Sequence, residues 1–117
     1  MAKKILVIDD EQDVIIYLKT FLEKNDFQVI TAKDGGEAID AAQKELPDLV
    51  TLDIMMPNES GVRFYRKMKK DARLKTVPII VISGMAGRQL AVPKPEASFE
   101  KPVDREKLLE KIRELIG

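Results

Sequence analysis

Short, almost entirely apolar runs alternate with amphipathic stretches along this 117-residue chain. The runs predict five strands, and unbroken apolar runs are typical of strands buried on both faces in a parallel sheet. The predicted strands are Lys4 to Ile8, Phe27 to Thr31, Asp48 to Asp53, Val77 to Ser83 and Ala97 to Lys101.

Between the strands, apolar residues recur at helical spacing. The predicted helices are Asp10 to Asn25, Gly35 to Glu45, Gly61 to Asp71 and Asp104 to Ile116. Residues 84–96 fit no regular element. Strands that alternate with helices predict an α/β fold, with a doubly wound parallel sheet and helices on both of its faces.

The residues that end the strands are the first candidates for a site, because ligands of such folds bind at the carboxyl edge of the sheet. They are Asp9 and Asp10, Asp53, Ser83 and Lys101. Three carboxylates at one edge repel one another, and a hard divalent cation such as Mg²⁺ relieves that repulsion. With a lysine and a hydroxyl beside them, the set suits phosphoryl transfer to a carboxylate, which forms an aspartyl phosphate.

The composition excludes several classes of site and of binding partner. The chain has no cysteine and no histidine, which excludes disulfides, thiolate or imidazole ligands, and hydrolase arrangements built on those residues. Twenty basic residues balance 20 acidic ones, so net charge gives no support for binding nucleic acid or a membrane surface. The N-terminus lacks the long apolar stretch of a signal peptide, and we expect a cytoplasmic protein.

Four segments make the chain similar to the receiver domain of two-component response regulators, of the single-domain chemotaxis-regulator type. The segments are Ile5 to Glu11, Leu49 to Pro57 with Gly61, Pro78 to Gly84, and Phe99 to Pro102. The resemblance implies a flavodoxin-like fold and one receiver domain over residues 1–117. It also implies a signalling switch that catalyses only its own phosphorylation and slow autodephosphorylation.

The resemblance assigns the phosphoryl chemistry to three residues. Asp53 would accept a phosphoryl group from a phosphohistidine of a sensor histidine kinase or phosphotransfer protein. Ser83 would bond a phosphoryl oxygen, and Lys101 would pair with the phosphoryl group. A cis peptide at Lys101–Pro102 would orient that lysine. The modified domain would then switch its interaction with a downstream protein target.

The same resemblance implies Mg²⁺ as the cofactor. Asp10 and Asp53 would ligate it directly, Asp9 would act mainly through water, and the Met55 backbone carbonyl would complete the protein ligands. From this assignment we expect all of these groups to meet at one edge, with Asp53 open to solvent.

Two features depart from the family. The interval between Ser83 and Lys101 is shorter than usual by about one helical turn and contains two prolines, so the helix there is predicted to be missing, short or mobile. Ser98 stands where the family places a switching aromatic residue, and Phe99, one position later, should point to the opposite face.

Met55 and Met85 lie two positions after the acceptor and the hydroxyl. Neither side chain can orient an attacking water by hydrogen bonding, so we expect slow hydrolysis of the phosphoryl group.

Three other functions are alternatives to a phosphoryl-accepting receiver. A degenerate receiver that acts as a phosphorylation-independent interaction module is the main alternative. A magnesium-dependent aspartyl phosphatase would normally carry a second aspartate where Met55 stands. An FMN-binding flavodoxin is disfavoured because the first strand ends in two aspartates, where a phosphate-binding loop needs glycine and hydroxyls.

Overall fold

A computed structural model of the chain describes residues 2–84 and 97–117. Its five strands form one sheet in the order β2-β1-β3-β4-β5, and every neighbouring pair is parallel. The strands are β1 (Lys4–Ile8), β2 (Gln28–Ala32), β3 (Leu49–Asp53), β4 (Ile79–Ser83) and β5 (Ala97–Glu100). The doubly wound parallel sheet predicted from the sequence is confirmed.

Four helices lie within the described residues. They are α1 (Gln12–Lys24), α2 (Gly35–Glu45), α3 (Ser60–Lys70), which follows a 3₁₀ turn at Pro57–Glu59, and α4 (Arg105–Ile116). All element bounds agree with the sequence-based bounds to within two residues. The helix predicted to be missing, short or mobile between β4 and β5 falls in residues 85–96, which lie outside the described residues.

The small differences in bounds have local causes. Strand β4 begins at Ile79 rather than Val77 because Pro78 has no N–H to donate to a ladder. Helix α1 begins at Gln12 rather than Asp10 because Asp9 Oδ1 accepts the Glu11 N–H at 2.9 Å, and Glu11 keeps an extended backbone.

The sheet separates two apolar layers. Alternate strand residues point to opposite faces, so β1 sends Leu6 and Ile8 to one layer and Ile5 and Val7 to the other. Helices α2 and α3 cover the first layer, and α1 and α4 cover the second. Burial on both faces explains why the central strands read as unbroken apolar runs.

Strand β5 is more exposed than β3 and β4, and its burial alternates. Ser98 is exposed, whereas Phe99 is partly buried against the α1 and α4 layer. The prediction that these two side chains point to opposite faces is confirmed. An aromatic side chain on β5 is therefore available only on the α1 and α4 side of the sheet.

Among residues 2–84 and 97–117, none of the helices combines the length and the apolar character needed to cross a bilayer.

The start of α2 packs directly on the start of α3, and the contact leaves no room for a side chain at Gly35. A Cβ built there would lie 2.3 Å from the backbone oxygen of Ser60. At Gly36 the nearest atom would be Asp34 Oδ1, at 3.6 Å. Two adjacent helical glycines therefore differ only in what surrounds them.

We predict that Gly35→Ala destabilises the protein by about 1–3 kcal/mol, because the added methyl group forces α2 and α3 apart. The matched control Gly36→Ala should be neutral or stabilising by up to about 1 kcal/mol, because alanine favours a helix. Urea unfolding of the three proteins measures both effects. Equal effects at the two positions would contradict the packing explanation.

Candidate functional site

The order of the strands brings two aspartates to the centre of the carboxyl edge. Strands β1 and β3 are neighbours, with Ile8 opposite Leu52, so Asp9 and Asp53 follow adjacent positions of the ladder. The strand order also reverses between β1 and β3, which is where doubly wound folds place their ligands. The geometry therefore puts both aspartates at the preferred binding position of this fold.

Four carboxylates converge there. Asp9, Asp10, Glu11 and Asp53 each offer an oxygen that lies within 4.8 Å of the others. Hard cations such as Mg²⁺ take oxygen ligands in clusters of this kind. The sequence-based expectation that the strand-end acids meet at one edge is confirmed as geometry.

The two inner carboxylates are almost fully enclosed. Asp9 is 2% exposed and Asp53 is 3% exposed, whereas Asp10 and Glu11 are exposed. One oxygen of each inner carboxylate accepts a backbone N–H, from Glu11 to Asp9 Oδ1 and from Met55 to Asp53 Oδ1, both at 2.9 Å. These bonds fix the carboxylates and leave each Oδ2 free for a cation.

In the protein without a bound metal ion, the Lys101 ammonium is the cation that contacts these oxygens. Its Nζ lies 3.0 Å from Asp9 Oδ2, 3.2 Å from Asp53 Oδ2 and 2.6 Å from Glu11 Oε1. Burial lowers the pKa of Lys101, but the hydrogen bonds to Glu11 and Asp9 and the charge of Asp53 outweigh it, so the pKa lies above its usual value. Lys101 is therefore a permanent positive charge among four acids.

The pKa of Asp9 indicates that the Lys101 ammonium only partly compensates the negative charge of the carboxylates. Burial raises the pKa of Asp9 to about 6, against the lowering effects of the Glu11 N–H and Lys101. The neighbouring charge of Asp53 adds to the increase. A buried carboxylate in this condition is stabilised by further positive charge, so the donor set fits a divalent cation.

The other two candidate site residues, Ser83 and Lys101, also lie near Asp53. Ser83 ends β4 and is fully buried, and its backbone oxygen accepts the Lys101 N–H at 2.9 Å. Across β3 and β4, Asp53 lies opposite Ile82, so Ser83 comes one position beyond it. The Lys101–Pro102 peptide is cis, as expected. The chain therefore brings Ser83, Lys101 and Asp53 to the same edge.

The expectation that Asp53 is open to solvent is wrong. Asp53 is only 3% exposed, and its two oxygens contact the Met55 N–H and the Lys101 ammonium. A groove of about 650 Å³ adjoins the site, and its described walls include Lys101 and Glu11 but not Asp53.

Glu11 is the site residue that the sequence-based assignment left out. It makes the shortest contact to Lys101 and no side-chain capping bond to α1. The available signal was a third consecutive acid at a strand end. That signal does not reveal a partner 90 positions away.

Comparison with known proteins agrees with this geometry. The sequence profile of the response regulator receiver domain matches residues 5–113. Protein PilH of Pseudomonas aeruginosa is 33% identical over 118 residues, which cover 97% of this chain and 98% of PilH. Response regulator PleD of Caulobacter vibrioides is 33% identical over 119 residues, 98% of this chain but 26% of PleD. The chain thus spans about a quarter of that relative's length.

A solved structure shows the same fold. The chemotaxis response regulator CheY4 of Vibrio cholerae superposes with a TM-score of 0.87 at 26% identity, covering 98% of this chain and 99% of that chain. This chain belongs to the response regulator receiver domain family, with a flavodoxin-like fold. It is a part of two-component signalling, and the family acts as a signalling switch.

We predict that Asp9→Asn stabilises the metal-free protein at pH 7 by about 1–3 kcal/mol, because a carboxyl whose pKa rises on folding opposes folding once it ionises. The unfolded carboxyl titrates near 4 and the folded one near 6, so wild-type stability should fall as pH rises through that window. The gap between variant and wild type should open over the same window.

Urea unfolding in a chelating buffer at several pH values between 4 and 7 measures that gap. A gap that stays constant with pH would show that Asp9 ionisation does not oppose folding.

Proposed function

We propose that residues 1–117 form one receiver domain that accepts a phosphoryl group on Asp53. The donor would be a phosphohistidine of a sensor histidine kinase or phosphotransfer protein in the cytoplasm. The strongest support is the shared contact of Lys101 Nζ with Asp9 and Asp53, inside a cluster of four carboxylates. Phosphorylation would change the binding of a downstream protein target.

Magnesium is the proposed cofactor. Asp9, Asp10, Asp53 and the Met55 backbone carbonyl would hold it, with Asp9 acting mainly through water. When bound, Mg²⁺ would neutralise charge on the phosphoryl oxygens and so favour their approach to a carboxylate. The raised pKa of the buried Asp9 and the oxygen-only donor set support this assignment.

Each residue of the site has a separate role in the proposed phosphoryl transfer. An Asp53 oxygen attacks phosphorus as the bond from phosphorus to the donor nitrogen breaks, and the imidazole leaves. Met55 N–H holds Asp53 Oδ1 and so fixes the carboxylate during attack. Lys101 and Ser83 would bond the transferred phosphoryl oxygens and stabilise their negative charge.

Lys101 must leave Asp53 Oδ2 before that oxygen can react or take part in binding a cation. The contact is 3.2 Å long, the longest of the three that Lys101 makes to carboxylates. Because lysine has four rotatable side-chain bonds, its ammonium can move while its backbone N–H stays bonded to Ser83.

We predict that the protein gains the mass of one phosphoryl group on incubation with Mg²⁺ and acetyl phosphate, and that Asp53→Asn does not. The exposed Asp40 on α2 gives a matched control, so Asp40→Asn should be modified like wild type. Intact-mass spectrometry measures the modification. Labelling of Asp53→Asn to the wild-type extent would rule out Asp53 as the acceptor.

Hydrolysis of the phosphoryl group is expected to be slow. The Met55 side chain is 50% exposed beside Asp53 and offers no hydrogen bond to a water. Met85 lies outside the described residues, and its role stays a prediction from the sequence. Neither position as it stands supplies a group that positions the attacking water.

We predict that Met55→Asn with Met85→Glu shortens the phosphoryl half-life by about tenfold or more, because a positioning group adds at least that factor to a rate. Following the loss of the phosphorylated mass after the donor is removed measures the half-life. Met55→Leu should leave it unchanged. A half-life of the double variant equal to wild type would refute this explanation.

A further inference from the structure

Three carboxylates surround the Lys101 ammonium in the protein alone. The ammonium donates hydrogen bonds to Glu11 Oε1 and Asp53 Oδ2 and forms an ion pair with Asp9 Oδ2 at 3.0 Å. A phosphoryl oxygen would therefore compete with these carboxylates for the ammonium. Lys101 can serve the proposed reaction only if it releases a carboxylate and is still held at the site.

The three carboxylates are not equivalent. Asp9 and Asp53 are buried, and the proposed function uses both of them in holding the cation. Glu11 has a side chain that is 59% exposed, lies at the outer rim and makes the shortest contact, at 2.6 Å. Glu11 is therefore the partner that Lys101 can keep when it leaves the other two.

We propose that Glu11 is a positioning residue for Lys101: it holds the ammonium at the rim of the site, so that freed donor hydrogens face the incoming phosphoryl group. This inference rests on the proposed function. Without such an anchor, the four rotatable bonds of Lys101 would let the ammonium move into the adjoining groove.

The role depends on reach as well as on charge. Glu11 lies just before α1, and its backbone oxygen accepts the Val14 and Ile15 N–H groups, so its backbone cannot follow a shortened side chain inward. Glu11→Asp keeps the charge but withdraws the carboxylate by one methylene. It therefore separates a specific contact from a general effect of negative charge.

The test measures phosphorylation rates with acetyl phosphate at saturating Mg²⁺. We expect Glu11→Gln and Glu11→Asp both to slow the reaction by roughly two- to fivefold, the usual range for loss of one partly exposed ion pair. Asp13→Asn, which removes an exposed acid two positions away on α1, should change the rate less than twofold. In a Lys101→Met background, Glu11→Gln should have no further effect.

A second measurement needs neither phosphorylation nor Mg²⁺. In the metal-free protein, the ¹⁵N-labelled Lys101 ammonium should give a signal protected from solvent exchange, and Glu11→Gln should lose much of that protection. The proposal is overturned if protection survives in Glu11→Gln, if Glu11→Asp reacts at the wild-type rate, or if Glu11→Gln slows Lys101→Met equally. Failure of wild type to react at all would instead refute the proposed function, and the ammonium signal would still show whether Glu11 holds Lys101.

Discussion

Desolvated negative charge at the end of two neighbouring strands is the constraint on which the site depends. Asp9 and Asp53 are almost fully enclosed, and burying ionised carboxylates is unfavourable unless other groups compensate them. Backbone N–H groups satisfy one oxygen of each, and Lys101 satisfies the other. The raised pKa of Asp9 indicates that this compensation is incomplete.

Packing of the two apolar layers on the sheet provides the stability that offsets the burial of these carboxylates. Strands β1, β3 and β4 are buried on both faces, and the helices cover both layers. The parallel arrangement also aligns the strand ends, so that groups far apart in sequence come to one edge without a dedicated loop. The buried core therefore positions the carboxylates and Lys101, and it also offsets the unfavourable burial of Asp9 and Asp53.

Lys101 affects both the stability of the site and its proposed reaction. The ammonium that compensates the buried acids also contacts the proposed acceptor oxygen, so the resting site is stabilised and closed by the same contact. The proposed reaction would require that contact to be exchanged rather than simply lost. On β5, Ser98 is exposed and Phe99 packs on the α1 and α4 layer, so a change at Lys101 meets an aromatic side chain only on that side of the sheet.

Apolar runs and helical spacing are local patterns, so they predict the bounds of the elements to within two residues. The position of a residue at a strand end is also local, and it is enough to propose Asp9, Asp10, Asp53, Ser83 and Lys101 as neighbours at one edge. The enclosure of Asp53 and the contact between Glu11 and Lys101 become visible only in the folded protein. Burial and ion pairing depend on side-chain positions of residues 90 apart in the chain, and no local pattern records which oxygen a distant ammonium will reach.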